Sequence, residues 1–537
     1  ASQLIEKGRE NRLLQSNQFD TTWISPDATI TSGQADKDGS NNAWLLTATS
    51  AFNRVAQSVS QSGVKRFSVY AKANVNDYLL LGCFEGAHYY ATFNLATGAV
   101  DSNNINAILP SIENVGNGWY RCSATWVGTT TDVRIASQTT SGQGGWASTT
   151  SGSIYIQDAQ LEQGLVATPY IETGASTAQA GILENTPRLD YSGGATCPSL
   201  LLEPSRTNQV QNSEYYESYD LNSVSISSNE TTSPEGLSNA AELIEDSSND
   251  NHFFRIPNLS WTSGTDVVFS IYFKENTRRY ARLRFDNTGG NTRVWVDLRT
   301  GETTFIDATD SGVCTSVDVG NGWFRYEFKV TPSNTGTGSV QVFLQSEESV
   351  LGNLQTTYQG DGTSGIYVWG AQMEQGSYPT SYIPTYGVSQ TRAVDDCKVE
   401  DLQSNGIVDT NWTYFFEWGK YVADRNFEIK NSLNTTFLFM VARMFRYNTN
   451  SGGVSTLTSL PSGVNEAIKV AVRYDGSSLK VFRSDGITNE VTDMDTSLFG
   501  DFDFLRLDRA FDDSEEFKQL LIFPTALTDS ECIALTS

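Results

Sequence analysis

The chain repeats itself, and that repeat constrains every later reading of its fold. Asn11-Arg-Leu-Leu-Gln-Ser-Asn17 matches Asn208-Gln-Val-Gln-Asn-Ser-Glu214, and Phe67-Ser-Val-Tyr-Ala-Lys72 matches Phe269-Ser-Ile-Tyr-Phe-Lys274. Asn94-Leu-Ala-Thr-Gly98 matches Asp297-Leu-Arg-Thr-Gly301, and Val115-Gly-Asn-Gly-Trp-Tyr-Arg121 matches Val319-Gly-Asn-Gly-Trp-Phe-Arg325. Ile154-Tyr-Ile-Gln-Asp-Ala-Gln-Leu-Glu-Gln-Gly164 matches Ile366-Tyr-Val-Trp-Gly-Ala-Gln-Met-Glu-Gln-Gly376. The matches are colinear, and their offset grows from 197 to 212, as loop insertions would produce. Residues 11–175 and 207–386 are therefore two copies of one domain. A short segment, 1–10, precedes them; 176–206 reads as a linker, and 387–537 as a third unit with a different pattern.

The copies read as all-β. Their segments are short, alternate with period two and end in Gly, Asn or Asp. Thr97-Gly98 and Thr300-Gly301 read as hairpin turns. Gly-Asn-Gly before Trp119 and Trp323 reads as a tight turn feeding a strand whose Trp enters the core. Copies of this size suit two-sheet sandwiches of jelly-roll type. In the third unit, Trp412 to Trp418 reads as a strand, and Ile468 to Arg483 as a hairpin around Asp475-Gly476. Thr528-Asp-Ser-Glu531 is a capping-box pattern for a short terminal helix. The expected fold class is three β-sandwiches in tandem.

Composition narrows the function. The 537 residues carry 62 acidic and 36 basic side chains, a net charge of −26. That excludes a general nucleic-acid binder or a polybasic membrane binder, both of which need a cationic face. The longest strongly apolar run, Phe437 to Ala442, is far short of a membrane span. The first dozen residues, with Glu6, Lys7, Arg9, Glu10 and Arg12, show no targeting segment. Cys83, Cys122, Cys197, Cys314, Cys397 and Cys532 are widely spaced, so free, mostly buried thiols of a reducing cytoplasm are expected.

Asn185-Thr-Pro-Arg-Leu-Asp-Tyr191 followed by Leu200-Leu-Leu-Glu-Pro-Ser-Arg-Thr-Asn208 resembles a signature of bacteriophage virion proteins. The closings Ala159–Ile171 and Ala371–Ile383 occur in the same proteins. The repeats are similar to carbohydrate-binding-module jelly rolls. The third unit resembles a concanavalin A-like, laminin G-like sandwich in its Tyr474-Asp-Gly hairpin and its ending Leu521-Ile-Phe-Pro-Thr-Ala-Leu-Thr-Asp529. The resemblance implies a tail fibre, tail-tip adhesin, head fibre or capsid decoration. With barely ten residues before the first repeat and no heptads, it favours a compact adhesin or decoration over a long fibre. A homotrimer follows by analogy with phage adhesins, other virion proteins are the implied partners, and the virion is the expected location.

Catalytic chemistry finds little footing. The two histidines, His88 and His252, fall at non-equivalent places in the repeats, and no Gly-x-Ser-x-Gly elbow surrounds a nucleophile. Glu162 and Glu374 recur at equivalent places and read as backbone-bonding groups of the closing strand. Asp512-Asp513 and Glu515-Glu516 read as a solvated face. The expectation is a protein without enzymatic activity. No cofactor is expected beyond a structural calcium at Asp36 and Asp38, where oxygen ligands alternate around a Gly turn; an ordinary turn is the competing reading.

Strand parity gives a candidate binding face. In the second repeat it places Tyr272, Lys274, Tyr280, Arg282, Arg284, Arg293 and Trp295 outward on three consecutive strands; in the first it exposes Tyr70, Lys72, Tyr78, His88 and Tyr90. Aromatic rings stack on pyranose faces while Arg and Lys bond hydroxyls or carboxylates, so the face suits host surface glycans. The second repeat is the better candidate, since Trp295 corresponds to Thr92. Two readings stand: glycan adhesion, or a structural head-fibre or decoration role in which the face packs against another subunit.

Overall fold

The computed structural model describes residues 8–101, 106–140, 149–181, 189–190, 199–287, 290–346, 357–400, 402, 411–420, 427–431, 436–441, 444–460, 468–499, 502–508 and 515–537. It is an all-β molecule of three sandwiches, the first two built alike.

The second repeat shows the plan most plainly. Its front sheet runs Asp220–Asn222, Phe253–Trp261, Gly336–Gln345, Tyr280–Asn287, Gly290–Asp297, Thr303–Ala308, in that order across the sheet. Its back sheet runs Val224–Thr231, Ala240–Glu245, Gly365–Gln375, Val267–Glu275, Trp323–Thr331, Ser311–Gly320. All neighbours are antiparallel. Period-two alternation sends one side of every strand between the sheets. Phe269, Ile271 and Phe273 from the back sheet meet Leu283, Phe285, Val294 and Val296 from the front, all buried.

The first repeat follows the same order with one difference. Val55–Ala73 and Trp119–Gln138 each run unbroken through both sheets, paired from Val55↔Ile135 to Lys72↔Trp119. The register of the pair shifts between Ser58 and Gln61, and Gly63 then lies opposite Gly128. Gly63 has φ +82°, a conformation most side chains resist. In the second repeat the equivalent strands are interrupted, between Trp261 and Val267 and between Thr331 and Gly336.

The Gly-Asn-Gly turns form as expected, with positive φ at Gly116, Asn117 and Gly118 and again at Gly320, Asn321 and Gly322. The tryptophans that follow are buried, but neither belongs to the core of its sandwich, contrary to expectation. Trp323 packs with Tyr272, Trp369 and Val319 on the outer side of the back sheet. Core positions on that strand go to Tyr326, Phe328 and Val330, one residue out of phase.

The third sandwich packs a six-stranded sheet against one holding Trp412–Lys420, Ile468–Tyr474, Leu479–Arg483 and Glu515–Phe523. The expected hairpin closes at Asp475-Gly476 with Tyr474↔Leu479 paired. Helix Asp529–Thr536 carries the full capping box between Thr528 and Glu531.

The stretch 176–206 is more than a linker. Ala178–Ala180 pairs with Arg9–Asn11 and closes the neck of the first repeat; Arg206–Asn208 pairs with Gln390–Arg392 and closes the second. Between these necks, Ser199–Leu202 joins the third sandwich, with Leu200↔Phe517 and Leu202↔Glu515. Leu202 lies in that sandwich's core, with Leu402, Trp412 and Tyr414 from the far side of the second repeat. The second repeat is thus inserted into the third domain.

Cys83, Cys122, Cys314 and Cys532 are buried thiols without disulfides. Cys197 and Asp512-Asp513 lie outside the described residues, as does most of the Asn185–Tyr191 phrase.

Candidate functional site

The recurring closing motif builds a buried polar clasp, once per repeat. Asn208 Nδ2 donates to the carbonyls of Ala371 (3.2 Å) and Ile383 (2.8 Å), and its Oδ1 accepts from Val210 and Met373 N–H (both 3.0 Å). Asn11 repeats all four bonds with Ala159, Ile171, Leu13 and Leu161. Glu374 accepts from Thr380 N–H (2.8 Å) and its hydroxyl (2.5 Å); Glu162 does the same at Thr168 (3.0 and 2.6 Å). These carboxylates hold backbone, which is the reading their positions in the sequence suggested. The histidines are likewise held by the chain. Both ring nitrogens of His252 face carbonyl oxygens, of Ser223 (2.7 Å) and Tyr358 (3.2 Å). His88 Nδ1 lies 2.5 Å from an Arg134 nitrogen. Desolvation and the Arg134 charge hold the His88 imidazole below its usual pKa.

The Asp36 loop is closed by its own donors. The Asp36 carboxylate accepts from Asp38 N–H (3.0 Å), Ser40 N–H (2.8 Å), the Ser40 hydroxyl and Asn42 N–H (3.3 Å). Burial alone would raise its pKa, but these donors outweigh burial and lower it. Asp38 lies 2.6 Å from the Lys37 ammonium, which also meets Asp158 at 3.1 Å. The Lys37 ammonium thus lies between Asp38 and Asp158, while the Asp36 carboxylate is turned to its own loop. Among the described residues no group of three or more His, Cys, Asp or Glu is arranged to hold a metal.

The predicted face divides in two. Val267–Glu275 belongs to the back sheet, whereas Tyr280–Asn287 and Gly290–Asp297 belong to the front sheet. Outward on one is the opposite side of the sandwich from outward on the other. Tyr272 and Lys274 therefore do not join the other five residues. Tyr272 is 1% exposed, covered by Trp369, Tyr382 and the Arg325 guanidinium. Tyr70 holds the same place in the first repeat, with Arg121 and Lys37 over its ring.

Tyr280, Arg282, Arg284, Arg293 and Trp295 do share the front sheet's outer side. Register sets Tyr280 opposite Asp297, Arg282 opposite Trp295 and Arg284 opposite Arg293. Outward is not always exposed, however. Trp295 is fully buried, with Tyr280 against it edge-on at 6.0 Å, so it supports the face rather than offering a stacking ring. Beside it opens a cleft of about 280 Å3 lined by Asn251, Phe253, Arg282, Arg284, Arg293, Gln341 and Phe343. Arg284 donates to Asn291 (2.9 Å) and Asp286 (3.3 Å), and Arg293 faces Asp307 at 3.4 Å. The Arg282 guanidinium lies over Phe343, its carbon 3.9 Å from the ring centre.

Phe253, Gln341 and Phe343 were missed in the sequence. They sit on Gly336–Gln345, which pairs with Tyr280–Asn287, and on Phe253–Trp261, the next strand across, both distant from it in sequence. Alternation did carry the signal: Val340, Val342 and Leu344 face the core, so Gln341 and Phe343 face out.

The first repeat lacks this cleft's chemistry. Equal register puts Leu80 where Arg282 stands, Gly82 at Arg284 and Tyr90 at Arg293. Tyr90 is buried against Leu80 and Ala136, Tyr78 is half-buried and bonded to Asn94 (3.1 Å), and His88 is exposed at the edge. Two clefts of about 330 and 370 Å3 lie where the repeats meet. Their walls include Glu162, Glu214, Arg66 and Arg121, which hydrogen-bond within the chain; the smaller front-sheet cleft differs in holding Arg282, from which no described residue accepts a hydrogen bond.

No protein-family model matches the chain, and no curated protein matches it. Among solved structures, the CBM22-1–CBM22-2 tandem of Paenibacillus barcinonensis Xyn10C is 11% identical, covering 68% of this chain and 96% of that one, with a TM-score of 0.18. Domains LG4-5 of the mouse laminin α1 chain are 9% identical, covering 52% and 90%, at 0.17. A Trypanosoma rangeli sialidase in complex with the inhibitor DANA is 8% identical, covering 98% and 94%, at 0.23. With TM-scores this low, what the chain does has to be read from its own residues.

Proposed function

We propose that the chain is a phage virion surface protein that attaches to host cell-surface polysaccharide without catalysis, the glycan lying in the front-sheet cleft of the second repeat. The observation that supports binding is the cleft itself, where part-exposed Arg284 and Arg293 border the apolar surface of Phe253 and Phe343. Guanidinium donors beside an apolar floor match a sugar, whose ring has hydroxyls at its rim and an apolar face. The virion half of the reading rests on the Asn185–Tyr191 and Leu200–Asn208 phrase.

The test is a screen of the purified protein against bacterial surface polysaccharides, beside an Arg284→Ala/Arg293→Ala variant and a Tyr78→Ala control in the first repeat. Binding by the wild type and the control, lost in the double variant at an unchanged melting temperature, is expected. No binding, with the double variant falling from oligomer to monomer, would make the cleft a subunit interface and the protein chiefly structural.

A further inference from the structure

Arg282 is 2% exposed, yet no described residue accepts a hydrogen bond from it; the carboxylate that favours its charge, Asp307, is the one Arg293 already faces at 3.4 Å. Its Nε is sealed without a partner, and its contact is the Phe343 ring beneath it. Burial, with Arg293 and Arg284 close by, pushes its pKa down to about 10, leaving it cationic at neutral pH. Three guanidiniums at the cleft meet two carboxylates, Asp286 and Asp307, already engaged by Arg284 and Arg293. One positive charge is in excess, on a chain of net charge −26. A desolvated guanidinium without a counter-ion of its own is unfavourable unless an anion reaches it. Gln341 Oε1, also buried and without a hydrogen-bond partner among the described residues, belongs to a residue lining the same cleft and is free to accept from a hydroxyl.

We infer that the cleft selects an acidic sugar, its carboxylate bonded to the Arg282 fork and its ring against Phe253, with Arg282 as the specificity-determining residue. This rests on the glycan reading above and narrows it to a ligand class. The planar fork of Arg matches a carboxylate through two parallel hydrogen bonds, which a neutral sugar cannot supply. The first repeat provides an internal contrast, since Leu80 stands at the Arg282 position.

Calorimetry of the full chain would compare a hyaluronan oligosaccharide, the same oligosaccharide with its carboxylates reduced to alcohols, and sodium glucuronate. The acidic oligosaccharide is expected to bind about tenfold or more tighter than the reduced one. Arg282→Leu should abolish that preference while the melting temperature holds or rises, because a buried charge without a hydrogen-bond acceptor has been removed. Arg282→Lys, which keeps charge without the fork, should lose most of it. Equal binding of the acidic and reduced forms by the wild type, or a preference surviving Arg282→Leu, overturns the inference and leaves glycan binding standing. Failure of all three ligands to bind the wild type overturns the acidic-sugar inference, and an empty polysaccharide screen then overturns the broader reading as well.

Discussion

Replacing Asn208 with alanine tests the reason the closing motif recurs. Asn208 is fully buried and makes four hydrogen bonds, two donated and two accepted, all with backbone groups of three separate segments. Each such bond contributes about 1 kcal/mol net, and each buried partner left unmet costs at least that much. Four together come to about 4 kcal/mol, or about 2 kcal/mol if water enters the vacated space. For a domain of this size, 1 kcal/mol moves the melting temperature by about 2–4 °C, so the second repeat's transition should fall by about 8–16 °C, or about 4–8 °C if water enters. Scanning calorimetry of the full chain reads this directly, and Asn11→Ala should lower the first repeat's transition comparably. Asn208→Asp, which keeps the acceptor but sets a carboxylate against two carbonyls, should be no better than alanine. Ligand affinity measured well below the transition should not change, since the clasp is not part of the front-sheet cleft. A variant melting within about 2 °C of the wild type would refute the clasp as the structural reason for the motif.

Leu202→Ala should destabilise the third sandwich by about 2–4 kcal/mol while both repeats melt as before, because its side chain fills that domain's core. A fragment of residues 387–537, lacking strand Ser199–Leu202, should expose a sheet edge and aggregate; a soluble fragment melting like the intact domain would contradict the insertion. A Cβ on Gly63 would come within 1.6 Å of the Tyr386 carbonyl, which accepts Val64 N–H at 3.1 Å, so Gly63→Ala should loosen the contact between repeats and enlarge the radius of gyration in solution scattering. Burial raises the thiol pKa of Cys83, to about 12, and also that of Cys122 and Cys314. The native state therefore keeps these protons longer than the unfolded chain does. Their stabilisation is complete below about pH 8.5 and is lost as pH rises toward 12. None of the three should react with a thiol reagent at pH 8.5 until denaturant is added; labelling of the native protein at any of them would contradict their burial.

The repeat, the all-β class and the core side of each strand were legible in the amino-acid sequence because they depend on local alternation. Phe269, Ile271, Phe273, Leu283 and Val294 sit in the core as period two requires. The backbone-holding role of Glu162 and Glu374 was legible too, since identical placement in two copies with different faces marks a structural part. Sheet membership was not legible. Val267–Glu275 and Tyr280–Asn287 are consecutive in the chain yet lie in opposite sheets, and alternation says only which side of a strand faces the core. Tyr272 and Trp295 were for that reason assigned to one exposed face, when each is sealed on a different side of the sandwich. Nor was it legible that Ser199–Leu202 completes a sheet with Glu515–Phe523, because pairing across such a separation is chosen by which edge the folded domain leaves open. The sequence by itself determined the strands and their inward sides. Tertiary structure decided which strands are neighbours, and so which arginines converge on one cleft and which of them has no hydrogen-bond acceptor among the described residues.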